Sequence, residues 1–218
     1  MPSRKLKVTF VVLAVGVAAL LGFYVLFLRF VRVPTGAMSN TVILGDHLVV
    51  NRWVGRISRG DIVLYRFPKQ PSEIRLARVV GLPGEKIEIR DRLLYISGHE
   101  IPEVRVTVVE DYGGQDALEE LSSEGVGPYR VFYSARAPGT EVPFSSESIY
   151  GMPNPFEISP DQYFVMGDNR DNSHDSRFWG TVSREAIIGR PSLIYWSSRV
   201  VESGAEEVRW DRLFSRLK

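Results

Sequence analysis

Polar and apolar positions alternate along most of this chain, and the exception is its beginning. Val8 to Leu28 is a run of 21 residues without a charge. As a helix rising about 1.5 Å per residue, it matches the roughly 30 Å hydrocarbon core of a bilayer. Arg4, Lys5 and Lys7 precede the run, and Arg29 and Arg32 follow it. The pattern predicts a transmembrane anchor at 8–28 with a short cytoplasmic tail at 1–7. Everything after Arg29 then lies outside the cytoplasm, against the membrane face. A cleavable leader fits less well. The run exceeds an apolar segment of about 7–15 residues, and no clear small-x-small site follows it directly.

Beyond the anchor the period shortens to two. His47-Leu48-Val49-Val50, Ile62-Val63-Leu64-Tyr65, Lys86-Ile87-Glu88-Ile89 and Leu93-Leu94-Tyr95-Ile96 read as strands. Gly45-Asp46, Arg59-Gly60-Asp61, Leu82-Pro83-Gly84 and Ser97-Gly98 punctuate them as turns. Asp161 to Met166 and Ser192 to Trp196 read as later strands of the same system. The spacing predicts a mainly β fold, a β-barrel or sandwich core at 29–100 and 161–218, rather than alternating β-α units. Between Ile101 and Pro160 the character changes. Prolines, glycines and serines, with a polar stretch from Gln115 to Gly127, interrupt weaker strands such as Val104 to Val108. That segment, 101–160, is predicted to be an inserted subdomain. In the tail from Glu206, Val208, Leu213, Phe214 and Leu217 oppose Arg212, Arg216 and Lys218, which predicts an amphipathic helix closing the domain.

Composition narrows the chemistry. With 27 Lys and Arg against 26 Asp and Glu the net charge is +1, so no basic excess exists to grip a nucleic-acid backbone. At 44% hydrophobic and 24% charged, the 218 residues are those of a globular chain of one domain with an appendage. There are no cysteines, which excludes disulfides, thiolate zinc sites and cysteine nucleophiles together. His47, His99 and His174 lack metal-ligand spacing. Hydroxyls, amines and carboxylates remain.

Three segments carry them. The first is Arg32-Val33-Pro34-Thr35-Gly36-Ala37-Met38-Ser39-Asn40-Thr41, followed by Gly45-Asp46. The second is Arg59-Gly60-Asp61, then Ala77-Arg78-Val79-Val80-Gly81-Leu82-Pro83-Gly84-Glu85. The third runs from Met166 through Gly167-Asp168-Asn169-Arg170-Asp171-Asn172-Ser173-His174-Asp175-Ser176-Arg177 to Trp179-Gly180. A segment so dense in Asn, Asp, Ser and Arg can satisfy its own backbone through Asx turns and arginine–carboxylate forks. Asp168, Asp171 and Asp175 also invite a calcium-loop reading, but the spacing misses the EF-hand pattern and Arg170 interrupts it.

The order and content of these segments resemble bacterial type I signal peptidase, a membrane-bound serine protease with a Ser–Lys dyad. The resemblance covers the anchor and nearly all the core, leaves out 101–160, and is closest from Gly167 to Gly180. It implies a mostly β fold with its active site near the membrane, no cofactor and no metal. Activity would be removal of signal peptides from exported preproteins after small-x-small sites, by a monomer in the cytoplasmic membrane with its core on the outer side.

Two departures decide what this chain can do. The family's nucleophile segment reads Pro-Ser/Thr-Gly-Ser-Met, and Ala37 holds the place of the attacking serine. The family's general-base lysine stands just before the Arg-x-x-Gly-Leu-Pro-Gly stretch, and Ala77 holds that place. A methyl group neither attacks a carbonyl nor accepts a proton. Arg75 and Arg78 cannot substitute as bases, because a guanidinium keeps its proton in proteins. Thr35 and Ser39 lie two residues to either side of position 37. Truncation to alanine at both places implies an inactivated peptidase; a natural non-catalytic binding or assembly subunit is the alternative.

The resemblance also assigns supporting roles. Thr35, with the backbone N–H at position 37, would donate to the oxyanion, and Ser173 would orient the lysine. Val33, Pro34, Met38, Leu76 and His174 would line substrate pockets. Arg78, Asp175 and Arg177 would brace the site, Arg177 forking onto Asp175. A self-cleaving repressor with the same dyad would need a DNA-binding module and no anchor. An anchored structural β-domain would leave the Gly167–Gly180 segment unexplained.

Overall fold

The structure, a computed structural model, describes residues 4–90, 92–109, 118–135, 148–149, 152–201 and 203–217. Residues 1–3 of the expected cytoplasmic tail, 110–117, 136–147 and 150–151 of the expected insertion, and Asp91, Glu202 and Lys218 lie outside the described residues.

The apolar run is helical. Helix α1 spans Arg4–Phe27, and strand β1 (Leu28–Arg32) follows with no linker. Its described side chains stand clear of the domain, with Phe10 at 71% and Leu13 at 64% exposed. Among the described residues no helix is long and apolar enough to cross a membrane. The bilayer crossing therefore rests on the sequence run and is taken as a proposal below.

Strands follow in the order β2 (Asp46–Asn51), β3 (Ile62–Phe67), β4 (Gln70–Gly81), β5 (Lys86–Arg90), β6 (Leu93–Ile96) and β7 (His99–Glu100). Then come β8 (Val104–Val108), β9 (Glu120–Glu124), β10 (Arg130–Ser134), β11 (Ser148–Ile149), β12 (Met152–Pro153), β13 (Phe156–Glu157) and β14 (Gln162–Met166). A short helix α2 (Ser176–Trp179) precedes β15 (Val182–Ser183), β16 (Ile187–Val200), β17 (Glu206–Val208) and β18 (Ser215–Arg216).

The main sheet has the order β1-β2-β16-β3-β4-β14-β15, with β17 and β18 also paired to β16. This order has two ends, β1 and β15, so among the described residues the sheet does not close into a barrel, one of the two forms, barrel or sandwich, that strand spacing predicts. Local alternation predicts strands and says nothing of closure. The determinant is β16, 14 residues long, which serves β2 along Arg190–Ser197 and β3 at Ile187 and Gly189. Register shifts beside Pro191, which has no N–H to donate, and beside Tyr195 let it bend between these partners.

Strand β3 explains the two-sided core. Ile62, Val63, Leu64 and Tyr65 are all buried, as in a strand covered on both faces. Val63 and Tyr65 pack with Ala77, Val79 and Val165 on one face. Ile62 and Leu64 pack with Val33, Met38, Leu48 and Ile194 on the other. A second sheet, β13-β5-β6-β7, joins through Val80, Ile87, Leu94, Ile158 and Phe164. A third, β10-β8-β9, has β8 and β10 parallel and its own small core of Val106, Val108, Leu118 and Phe132.

The tail corrects a sequence expectation. Among the described residues no α-helix forms from Glu206 onward; β17 and β18 pair with β16 around a 3₁₀ turn at Trp210–Arg212. The reason is polar and lies 166 residues away in sequence. Arg212 forks onto the buried Asp46 at 3.0 and 2.7 Å, and Arg209 binds Ser197 Oγ and the Leu44 carbonyl. Such charge-assisted bonds outweigh the modest helix propensity of so short a segment.

Candidate active site

All three sequence segments converge on one cleft of about 840 Å³. Strand β1 and the residues after it, Val33 to Met38, form one wall; Glu73 to Ala77 of β4 form the other. Asp171 to Asp175 close one side. Of the sequence-derived site residues, Ala37, Ala77, Thr35, Ser173, Val33, Pro34, Met38, Leu76, His174 and Asp175 line it, while Arg78 and Arg177 are buried behind it.

The walls are strand edges. Among the described residues β1 pairs only with β2, and β14 pairs with β4 only at Arg78, Val79 and Gly81. Along Glu73–Ala77 the side of β4 away from β3 therefore meets no strand among the described residues. Two such edges facing a cleft can accept an extended chain through backbone hydrogen bonds.

Position 37 sits on a loop folded as two overlapping turns. Ser39 N–H and Oγ–H both donate to the Gly36 carbonyl, at 3.0 and 2.7 Å, and the Met38 carbonyl accepts from Thr41 and Val42. Asn169 fixes the loop from the third segment: its N–H donates to the Ala37 carbonyl and its Nδ2 to the Gly36 carbonyl. Ser39 is only 3% exposed with its hydroxyl engaged, so it is no replacement for a hydroxyl at 37. Ala77 is 1% exposed among Val63, Tyr65, Val79 and Val165.

Buried ion pairs brace the cleft from behind. Arg78 Nε and Nη2 donate to Asp168 Oδ1 and Oδ2 at 2.8 and 2.7 Å, with both side chains almost inaccessible. Thr41 Oγ1 donates to the same carboxylate at 2.7 Å, and the Arg78 guanidinium stacks on Tyr129. Arg177 forks onto Asp175 with two bonds of 2.8 Å, while Asp175 Oδ2 accepts the Gly167 N–H. Asp171 accepts from Arg92 and from the Ser134 N–H. Each carboxylate of the calcium-loop reading is thus bound to arginine. Among the described residues no group of His, Asp and Glu is arranged to hold a metal ion.

At the cleft mouth, Arg75 lies over Phe67, takes Glu73 Oε1 at 2.7 Å and donates to the His174 carbonyl. The Arg75 hydrogen bond, opposed by desolvation, holds the Glu73 carboxyl below its ordinary range. The His174 ring rests on Phe178, and Trp179 Nε1 also donates to its carbonyl. Burial pushes the Tyr65 phenol far up, leaving it a neutral wall at physiological pH.

Sequence reasoning missed Asp168, Thr41, Asn169 and Tyr65. Asp168 and Asn169 were visible in a motif, but their partners lie on other segments, and one sequence does not record such pairing. Gly167 is legible only in space. A Cβ there would fall far inside contact distance of both Ser173 Oγ and the Ala37 carbonyl. Gly167→Ala is therefore expected to cost about 1–3 kcal/mol, measured as a melting temperature lowered by roughly 2–4 °C per kcal/mol. It should also displace the position-37 loop.

A cleft between strand edges, on a mainly β domain led by an apolar helix, defines the class. Residues 5–196 match the family model described as "Signal peptidase, peptidase S26", and the chain belongs to that family. Signal peptidase I of Rickettsia typhi is 29% identical over 85% of this chain and 84% of its own. Signal peptidase I of Pseudomonas fluorescens is 30% identical over 76% of this chain and 64% of its own. A crystal structure of a signal peptidase I from Enterococcus faecalis is 25% identical, covering 63% of this chain and 97% of that one at a TM-score of 0.38.

Proposed function

We propose that this chain is a signal peptidase I emptied of its dyad: it holds the signal-peptide segment of exported preproteins and leaves it whole. The carrying observation is that Ala37 and Ala77, 40 residues apart in sequence, line the same cleft. With serine and lysine there, the neutral amine would take the hydroxyl proton as oxygen attacks the peptide carbonyl, then return it to the leaving amine. Thr35 and the N–H of residue 37 would receive the developing oxyanion, and Ser173 would orient the amine. With two methyl groups, recognition remains and chemistry stops. Val33, Met38 and Leu76 offer an apolar floor for the small side chains at positions −1 and −3, with Pro34 and His174 at its margins. Arg78, Asp175 and Arg177 hold the walls. A single chain suffices, without cofactor or nucleic acid.

The membrane reading has its own support. A helix whose apolar side chains are exposed calls for an apolar solvent. Arg52 N–H bonds to the Phe27 carbonyl at the helix end, which sets Trp53, 75% exposed, beside that end, where an interfacial tryptophan belongs. On this reading the N-terminus is cytoplasmic, the helix is a single span of the inner membrane, and 29–218 lies outside, with 101–160 as its inserted subdomain.

The test is binding without cleavage. In detergent, a fluorescent signal-peptide segment with alanine at −1 should bind and stay intact. A bulky aromatic at −1 should weaken binding at least about tenfold. A photo-crosslinker at −1 should mark Met38 and the 173–175 stretch. Equal binding of the bulky peptide, or crosslinks confined to 101–160, would replace this reading with that of an assembly subunit.

A further inference from the structure

The inserted β8–β10 sheet lies away from the cleft, yet it reaches the loop that carries position 37. The contact is Asn40. Its Nδ2 donates to the Leu118 carbonyl at 3.0 Å, and its Oδ1 accepts the Leu118 N–H at 2.6 Å. The side-chain amide thus pairs with a backbone residue as a neighbouring strand would, across 78 positions of sequence. Asn40 presents its amide from a left-handed backbone, φ 69°, a conformation asparagine tolerates better than most residues.

Leu118 is a fixed point. Its side chain is buried with Val106, Val108 and Phe132 in the core of the small sheet. That sheet is tied to the third segment. Phe132 N–H donates to the Asp168 carbonyl at 2.7 Å, and the buried Arg170 is paired with Glu103 through both guanidinium nitrogens Nη1 and Nη2. Burial works against the Arg170 charge, but the Glu103 carboxylate outweighs it and keeps the guanidinium firmly protonated. The 36–42 loop is therefore held by Asn169 at Gly36 and Ala37, by Asp168 at Thr41 and by Leu118 at Asn40.

We propose that Asn40 is a positioning residue, through which the inserted sheet sets the place of residue 37 in the cleft. The proposal rests on the reading above only where it names 37 as the place of the nucleophile. Asn40→Gly removes the clamp and keeps a left-handed backbone free of strain, and Asn40→Asp removes only the half that donates to the Leu118 carbonyl.

In the chain as it stands, amide hydrogen exchange at Ser39, Thr41, Val42 and Ile43 reads the loop directly. Asn40→Gly should accelerate it about tenfold, the factor carried by one or two net hydrogen bonds. Asn40→Asp should accelerate it less, and exchange in β2 and β3 should stay unchanged. In a protein carrying Ala37→Ser and Ala77→Lys, Asn40→Gly should lower kcat about tenfold, with KM within about twofold. Asn40→Asp, which keeps the acceptor for the Leu118 N–H, should restore part of it. Unchanged loop exchange in both variants would overturn the clamp. Acceleration throughout the protein, or local acceleration with kcat intact, would overturn the positioning role. If the double substitution itself produced no activity, the nucleophile assignment would fail, while the exchange measurement would still decide the clamp.

Discussion

Ala37→Ser combined with Ala77→Lys is expected to turn this chain into a peptidase that cuts a preprotein after a small-x-small sequence. Each substitution alone should stay about 10³-fold or more below the pair, because nucleophile and base act as one unit. Lysine fits the physical demands of position 77. The residue lines the cleft, into which a longer side chain can extend, and it is 1% exposed among apolar neighbours. Desolvation there disfavours the ammonium form and lowers its pKa toward the working range of a base. Activity of the double variant should therefore rise with pH through that lowered pKa. Position 37 is already set, since its carbonyl accepts from Asn169 and its loop is closed by the Ser39 and Thr41 turns. The measurement is a preprotein gel assay across pH 6 to 10 (about the range of a perturbed lysine). Full activity from Ala37→Ser alone would show that some other group serves as base and would remove Ala77 from the site.

What the sequence made legible, and what it did not, divides by range. β2, β3, β5 and β6 were readable because alternation and turn residues are local: Ile62 to Tyr65 sits between Gly60-Asp61 and the Pro68-Lys69 turn. The length of β16 was hidden because Gly189 and Pro191 look like breakers, whereas Gly189 admits the close approach of Val50 and Pro191 marks a bulge. The tail was misread for a similar reason. Its apolar residues fit a helix, but Arg209 and Arg212 answer to Asp46 and Ser197, partners no local pattern contains. The site follows the same rule. Its three segments were visible as motifs, and the fold brings them to one cleft. The bonds that brace it, Arg78 to Asp168 across 90 positions and Arg170 to Glu103 of the inserted stretch across 67, exist only in three dimensions.

The largest expected loss of stability is at Asp168. Asp168→Ala should destabilise the domain by about 3–5 kcal/mol, because it leaves Arg78 as a buried charge without its carboxylate. For a domain of this size that corresponds to a melting temperature lowered by roughly 6–20 °C. Three groups lose their acceptor at once: Arg78 Nε, Arg78 Nη2 and Thr41 Oγ1. Asp168→Asn keeps the shape and one acceptor oxygen but not the charge, so its cost should be smaller. Glu124 supplies the contrast. It pairs with Arg105 at 3.1 Å with its side chain 74% exposed, so Glu124→Ala should change stability by less than about 0.5 kcal/mol. The consequence for function follows from where Asp168 stands. Its carboxylate holds Thr41 of the position-37 loop and Arg78 beside position 77, so one group registers the two walls of the cleft against each other. Asp168→Asn should therefore weaken peptide binding even at temperatures where it remains folded, as Glu124→Ala should not. Equal binding by the two variants, measured well below both melting temperatures, would reduce Asp168 to a stabilising residue with no part in shaping the cleft.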